Sequence, residues 1–183
     1  MQRIALAMLL SAAVWAATLS QPFEYLVAPA TDTNQRNSEA DMLILRDGRV
    51  LLAWIDFYGP AGTDWAQARI SGRYSSDRGR TWGDKFTLQE NIGTMNVMEP
   101  DLLRLKSGKV LFLFCRKNSE ADCRPMVRLS SDDARTLSPA REMPITPAPS
   151  YTGFNHDRAI QLKWAEFSCR CSSRPITAYR STS

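Results

Sequence analysis

The sequence predicts an all-β chain built from a repeated four-stranded unit, and three observations carry that reading. The phrase DMLILRDGRVLL, from Asp41 to Leu52, returns 60 residues later as DLLRLKSGKVLF, from Asp101 to Phe112. A second phrase, RYSSDRGRTW at 73–82, returns at 128–137 as RLSSDDARTL. Beyond the first twenty or so residues, no segment has the 3.6-residue apolar period of a long amphipathic helix. Self-similarity at a nearly fixed interval is the mark of a repeat architecture. Four short strands per repeat describe one blade of a β-propeller. A β-sandwich is the competing all-β fold, but it does not normally repeat turn motifs at this interval.

In chain order, the N-terminus comes first. Arg3 is followed by an uncharged, mostly apolar run from Ile4 to Leu19, with Ala16, Ala17 or Ser20 as small residues suited to cleavage. The run is shorter than the ~20 residues that span a bilayer comfortably. A secretory signal over 1–20 is the expectation, with an uncleaved anchor or a buried helix as alternatives. The mature chain is then exported, to the periplasm or beyond the cell, with no stable membrane span after cleavage. The net charge of +4 is small and its basic residues are scattered, so nucleic acid is not an expected partner.

Strands are expected at 41–46, 49–56, 67–75 and 84–89 in a first blade of about 36–95. They recur at 101–105, 109–116 and 125–131 in a second blade of about 96–150. A third copy opens at 151–163 with RAIQLK, which makes about two and a half blades across 21–163. The runs VLLAWI and VLFLF are apolar at every position, as strands covered on both faces must be. Asp47-Gly48 and Ser107-Gly108 read as hairpin turns, where glycine takes positive φ without a Cβ clash.

The four cysteines decide little. Cys115 lies in an apolar strand and reads as a small buried hydrophobe, and a Cys115–Cys123 bridge is geometrically open. Cys169 and Cys171 form a C-x-C with no histidine or second cysteine pair at ligand spacing, so neither a metal nor a cofactor is expected. The stretch 75–82 fits S-x-D-x-G-x-T-W through Ser75, Asp77, Gly79, Thr81 and Trp82. A carboxylate in a tight turn accepts backbone N–H bonds, glycine takes the left-handed position, and Trp buries a large area. The copy at 130–137 keeps Asp132 but has Ala134 for the glycine and Leu137 for the Trp.

This motif resembles the Asp-box of sialidases and related propellers. The stretches RNSEADMLILRDGRVLLAW, NVMEPDLLRLKSGKV, CRKNSEADCRP and NHDRAIQLK extend the resemblance to the bacterial sialidase-like BNR-repeat family across nearly all of 36–163. The resemblance implies a partial six-bladed propeller in which the boxes are structural and peripheral. It further implies an exported glycoside hydrolase acting on terminal sialic acid or a related acidic sugar, with a glycan or sialoglycoconjugate as partner. Sialidases proper grip the substrate carboxylate with an arginine cluster, use an Asp as acid/base and a Tyr–Glu pair as nucleophile.

Carried over residue by residue, Arg36 stands about where the family places its first carboxylate-binding arginine, although this chain reads QRNSEAD where the family writes an F/Y-R-I-P context. Its planar fork matches a carboxylate bidentately. Asp64, in the loop GPAGTDWAQAR, is the catalytic acid/base candidate. Glu39 and Asp41 line the mouth or cap the strand. Arg116, Lys117 and Arg124 in the second blade, with Asp157 and Arg158 opening the third, are candidates for an anion-binding funnel. His156, the single histidine, reads as a loop residue. A noncatalytic carbohydrate-binding or structural module is the alternative function.

The third copy breaks after IQLK, and 164–183 is expected to be a disordered tail. Shifting the reading frame back by one base at Lys163 permits V-G-R-I-L-L-P, with its glycine in register with Gly48 and Gly108. A one-base deletion near that codon is therefore the expectation. Six blades at this period need roughly 350 residues, so the chain is read as an N-terminal fragment, inactive by itself.

Overall fold

A computed structural model describes residues 22–58, 62–143 and 151–162, together with the backbone at 167–171 and 175–177. The leader expected over 1–20 lies outside the described residues. Two four-stranded sheets follow one another, each a simple antiparallel meander. The first is β1 (Arg36–Ile44), β2 (Val50–Phe57), β3 (Ala68–Ser75) and β4 (Phe86–Gln89). The second is β5 (Asn96–Arg104), β6 (Val110–Ser119), β7 (Asp122–Ser130) and β8 (Arg141–Glu142). A third sheet begins with β9 (Phe154–Gln161) and continues through β10 (Phe167–Cys171) to β11 (Pro175–Thr177). No helix among the described residues is long and apolar enough to cross a membrane.

The repeated phrases fold alike because their turns are alike. Gly48 and Gly108 sit at φ 86° and 84°, in the left-handed region a side chain would strain. Each closes the same hairpin: the Gly48 N–H donates to Leu45 O at 3.0 Å, the Gly108 N–H to Leu105 O at 2.8 Å. At the next turn on the same end, Asp77 organises the S-x-D-x-G-x-T-W turn. Its carboxylate accepts the Thr81 N–H at 2.8 Å and the Thr81 hydroxyl at 2.7 Å, while the Gly79 N–H donates to the Ser75 hydroxyl at 2.8 Å. These bonds, those from Thr81 foremost, hold the Asp77 carboxyl down at about 2. The Trp82 indole N–H closes the turn onto Gly79 O at 3.0 Å. The altered copy keeps the network: Asp132 accepts from Thr136 N–H at 2.9 Å and its hydroxyl at 2.6 Å, and the Ala134 N–H reaches the Ser130 hydroxyl at 2.9 Å.

Strand β6 shows why an all-apolar run belongs here. Phe112 and Phe114 pack toward the first sheet with Leu51, Ala53 and Ile70. Leu111, Leu113 and Cys115 pack on the other face, in the cluster that holds Phe154 and Ala159 of β9. Both faces are covered, so alternation disappears. Cys115 and Cys123 are both buried and both free, so the bridge left open by the sequence is not formed.

The first strands of the three sheets lie side by side, locked by inward carboxylates. Asp41 accepts the Leu102 N–H at 2.6 Å, and Asp101 accepts the N–H groups of Arg158 at 2.8 Å and Ala159 at 2.9 Å. One sheet's inner strand therefore holds the backbone of the next.

Several boundaries differ from the sequence expectation. β1 and β5 begin five residues before 41 and 101, because each carries a bulge that lets a polar first half pair beyond it. Polar residues such as Asn37 and Asn96 hide that half from an apolar count. Disorder is the expectation for 164–183, yet within that stretch β10 pairs with β9 and β11 with β10. Sheet pairing uses backbone groups, so the open edge of β9 can accept an extended segment of almost any sequence.

Candidate functional site

The end of the sheets opposite the glycine turns gathers the starts of β1, β5 and β9 and the long loop after β2. Arg36 is the first residue of β1 and pairs across the ladder with Phe57, the last of β2. Its guanidinium lies 4.8 Å from the centre of the Phe57 ring, which fixes the fork while leaving its edge open. Twenty-eight residues on, Asp64 meets it: the Arg36 Nη1 donates to Asp64 Oδ1 at 2.5 Å. Both side chains are partly exposed, 34% and 56%, so the pair contributes little to stability, of order 0–1 kcal/mol. An incoming carboxylate can compete for the same fork.

The loop carrying Asp64 is held from the second sheet. The Asn96 amide donates to the carbonyls of Asp64 at 3.0 Å and Ala66 at 2.8 Å. The Lys117 ammonium donates to the same Asp64 carbonyl at 3.0 Å. Asn96 and Lys117 are buried. A buried ammonium is costly unless surrounded by compensating groups. Here the Trp65 ring centre lies 3.8 Å from it and that of Tyr151 5.4 Å, with the Met98 sulfur at 3.8 Å. Lys117 thus clamps the loop rather than standing open as an anion receptor.

Three acidic residues occupy the same place in the three inner strands. Glu39, Glu99 and Asp157 have φ of 44°, 59° and 57°, all in the left-handed region that non-glycine residues rarely adopt. The ladder shifts register at Glu39 between Ser38 and Ala40, and at Glu99 between Met98 and Asp101. Such strain is retained where the surrounding structure enforces it, and it concentrates at functional sites. Burial raises the Glu99 carboxyl to about 7, against the lowering effect of the Cys115 thiol and the Phe154 N–H, which donates to it at 2.8 Å. The Oε2 of Glu39 is buried without a hydrogen-bond partner among the described residues.

The other candidates divide. Arg116 pairs with Glu142 at 2.7 Å and Arg124 with Asp122 at 2.9 Å, so both guanidinium groups are engaged within the second sheet. Asp157 and Arg158 are exposed on β9. Ser75, Asp77, Gly79, Thr81, Trp82 and Asp132 belong to the turns at the opposite end. Among the described residues, no group of three or more histidine, cysteine, aspartate or glutamate side chains is placed to hold a metal ion. Sequence reasoning missed Asn96, Glu99, Trp65 and Tyr151. Only Glu99 had a readable signal, since EAD at 39–41 recurs as EPD at 99–101.

No protein-family model matches the chain, and no curated protein matches it in sequence. Solved structures do resemble it. A protein of unknown function from Dyadobacter fermentans matches with a TM-score of 0.63 at 15% identity, covering 78% of this chain and 48% of that one. The NanB sialidase from Streptococcus pneumoniae matches with a TM-score of 0.60 at 11% identity, covering 90% of this chain and 46% of that one. The Hadza microbial sialidase Hz136 matches with a TM-score of 0.55 at 13% identity, covering 80% and 35%. The chain therefore has the fold of a sialidase-type propeller and spans half or less of the structures it matches.

Proposed function

We propose that this chain carries the carboxylate-gripping side of a sialidase-type glycoside hydrolase mouth, specific for terminal sialic acid or a related acidic sugar. The observation that supports it most is the meeting of Arg36 and Asp64 at 2.5 Å, from two elements far apart in sequence. In this reading Arg36 exchanges its Asp64 partner for the sugar carboxylate. Asp64, released, becomes the acid/base, held in position by Asn96 and Lys117 through its own carbonyl. Turnover also requires the Tyr–Glu nucleophile, which the family resemblance places in later blades. Arg36 and Asp64 by themselves therefore bind the sugar without hydrolysing it. The Asp-boxes at Asp77 and Asp132 take a structural part, and export follows from the leader.

The test is a pair of assays on the full chain. Titration with N-acetylneuraminic acid should give saturable binding that weakens at least tenfold in Arg36→Ala, and a fluorogenic sialoside should not be hydrolysed. Hydrolysis by the isolated chain would overturn the view that it is inactive alone. Binding unaffected by Arg36→Ala would remove the site.

A further inference from the structure

We propose that the face of the first sheet turned away from the second carries a separate pocket for a hydroxylated carboxylic acid, with sugar acids as the class that fits. It goes beyond the function proposed above and does not depend on it. Strand alternation separates the two sites. Arg36 packs on the Phe57 ring, whereas the next residue, Asn37, accepts a hydrogen bond at 2.8 Å from the Trp54 indole on the opposite face. That opposite face, with the segment 28–34 laid across it, encloses a cavity of about 350 Å³. Small-molecule sites occupy about 300–1,000 Å³.

The lining is predominantly cationic. Arg69, Arg73 and Lys85 line the cavity against a single carboxylate, Asp56, which is fully buried. Asp56 is saturated. Its Oδ2 accepts from Arg69 Nε at 3.0 Å, Lys85 Nζ at 3.0 Å and the Ser71 hydroxyl at 2.5 Å, and its Oδ1 accepts from the Asn34 amide. The Arg73 Nε is buried without a hydrogen-bond partner among the described residues. One carboxylate against three cations leaves a positive excess facing the cavity, and an oxyanion is its complement.

The lining also holds an orphaned acceptor. Asn34 is 9% exposed and its Nδ2 is committed to Asp56, while its Oδ1 is buried with no partner among the described residues. An unpaired acceptor requires a donor, which a simple carboxylate cannot supply and a hydroxyl can. The half-buried Tyr58 ring in the lining offers an apolar face to the C–H groups of a sugar ring. Anion, hydroxyl donor and ring face together describe a sugar acid rather than a neutral sugar or a bare anion.

The experiment titrates the full chain with D-glucuronate by calorimetry, beside D-glucose, which lacks the charge, and inorganic phosphate, which lacks the ring. Glucuronate should bind saturably and at least tenfold more tightly than either. Arg73→Gln should weaken glucuronate at least tenfold and Arg73→Lys should restore most of the affinity. Lys85→Gln serves as a second variant should Arg73→Gln fail to fold, and it should weaken binding likewise. Arg141→Gln, on the exposed short strand β8 of the second sheet, should leave glucuronate affinity where it was. No saturable binding, phosphate binding as tightly as glucuronate, or full glucuronate affinity retained in both Arg73→Gln and Lys85→Gln would each overturn the proposal.

Discussion

At Gly79 the backbone sits at φ 86°, and a Cβ there would meet only the edge of Trp82 at 3.6 Å. Space is available, so the demand for glycine is conformational. Gly79→Ala is expected to lower stability by about 1–2 kcal/mol, the cost of a left-handed L-residue, read as a shift in the denaturation midpoint at unchanged slope. Ala134 shows how the second box tolerates that cost. It holds φ 64° yet is buried in the core, where its methyl recovers about 0.8 kcal/mol. This is why a degraded motif in the sequence is an intact turn in the fold. The Asp77 turn was legible because its chemistry is local: Ser75, Asp77 and Thr81 find one another within seven residues. Asn96 was not legible, because its partners, the carbonyls of Asp64 and Ala66, lie 30 or more residues away and leave no mark on the residues around it.

At the scale of an element, β5 illustrates how a strained strand gathers function and cost together. Its bulge turns Glu99 inward to the first residues of β9, where the Phe154 N–H meets it and Gly153 leaves room for it. A Cβ on Gly153 would stand 3.1 Å from Glu99 Oε1. Burial lifts this carboxyl from its ordinary 4.5 to about 7. The folded state therefore holds the proton more tightly than the unfolded chain does. Its contribution to stability is complete below 4.5 and is lost as pH rises through about 7. Denaturant midpoints measured across that window should fall with rising pH, and Glu99→Gln should flatten the slope. An unchanged slope in the variant would show that other groups set it. The repeat of Glu39 at Glu99 was visible as E-x-D, but nothing in a strand's sequence announces a left-handed bulge, which depends on the neighbouring ladder.

For the whole molecule, the informative feature is which apolar groups remain uncovered. Met42 is 61% exposed, Ile44 69% and Ile160 57%, all on the inner strands of the first and third sheets. Met42 and Ile44 join Val50 and Trp82 around a broad open groove. Contiguous apolar surface of this kind drives association. Sedimentation of the purified chain should show concentration-dependent self-association, and Met42→Glu with Ile44→Lys should shift it toward monomer. A wild-type chain that stays monomeric at every concentration tested would contradict this.

The sequence by itself determined the strands, their glycine turns, the carboxylate-centred turn at Asp77 and the repeat that stacks one sheet on the next. Each of these is encoded by residues within a few positions of one another, where alternation, positive φ and turn hydrogen bonds act. Only the tertiary structure decided which charged side chains face open space. Arg36 and Asp64 meet because the β1–β2 ladder and a clamped loop bring them together. Lys117 disappears beneath Trp65 and Tyr151, and Arg116 and Arg124 are taken up by Glu142 and Asp122. The availability of a charge is a property of its three-dimensional neighbours, and those neighbours are distant in the chain.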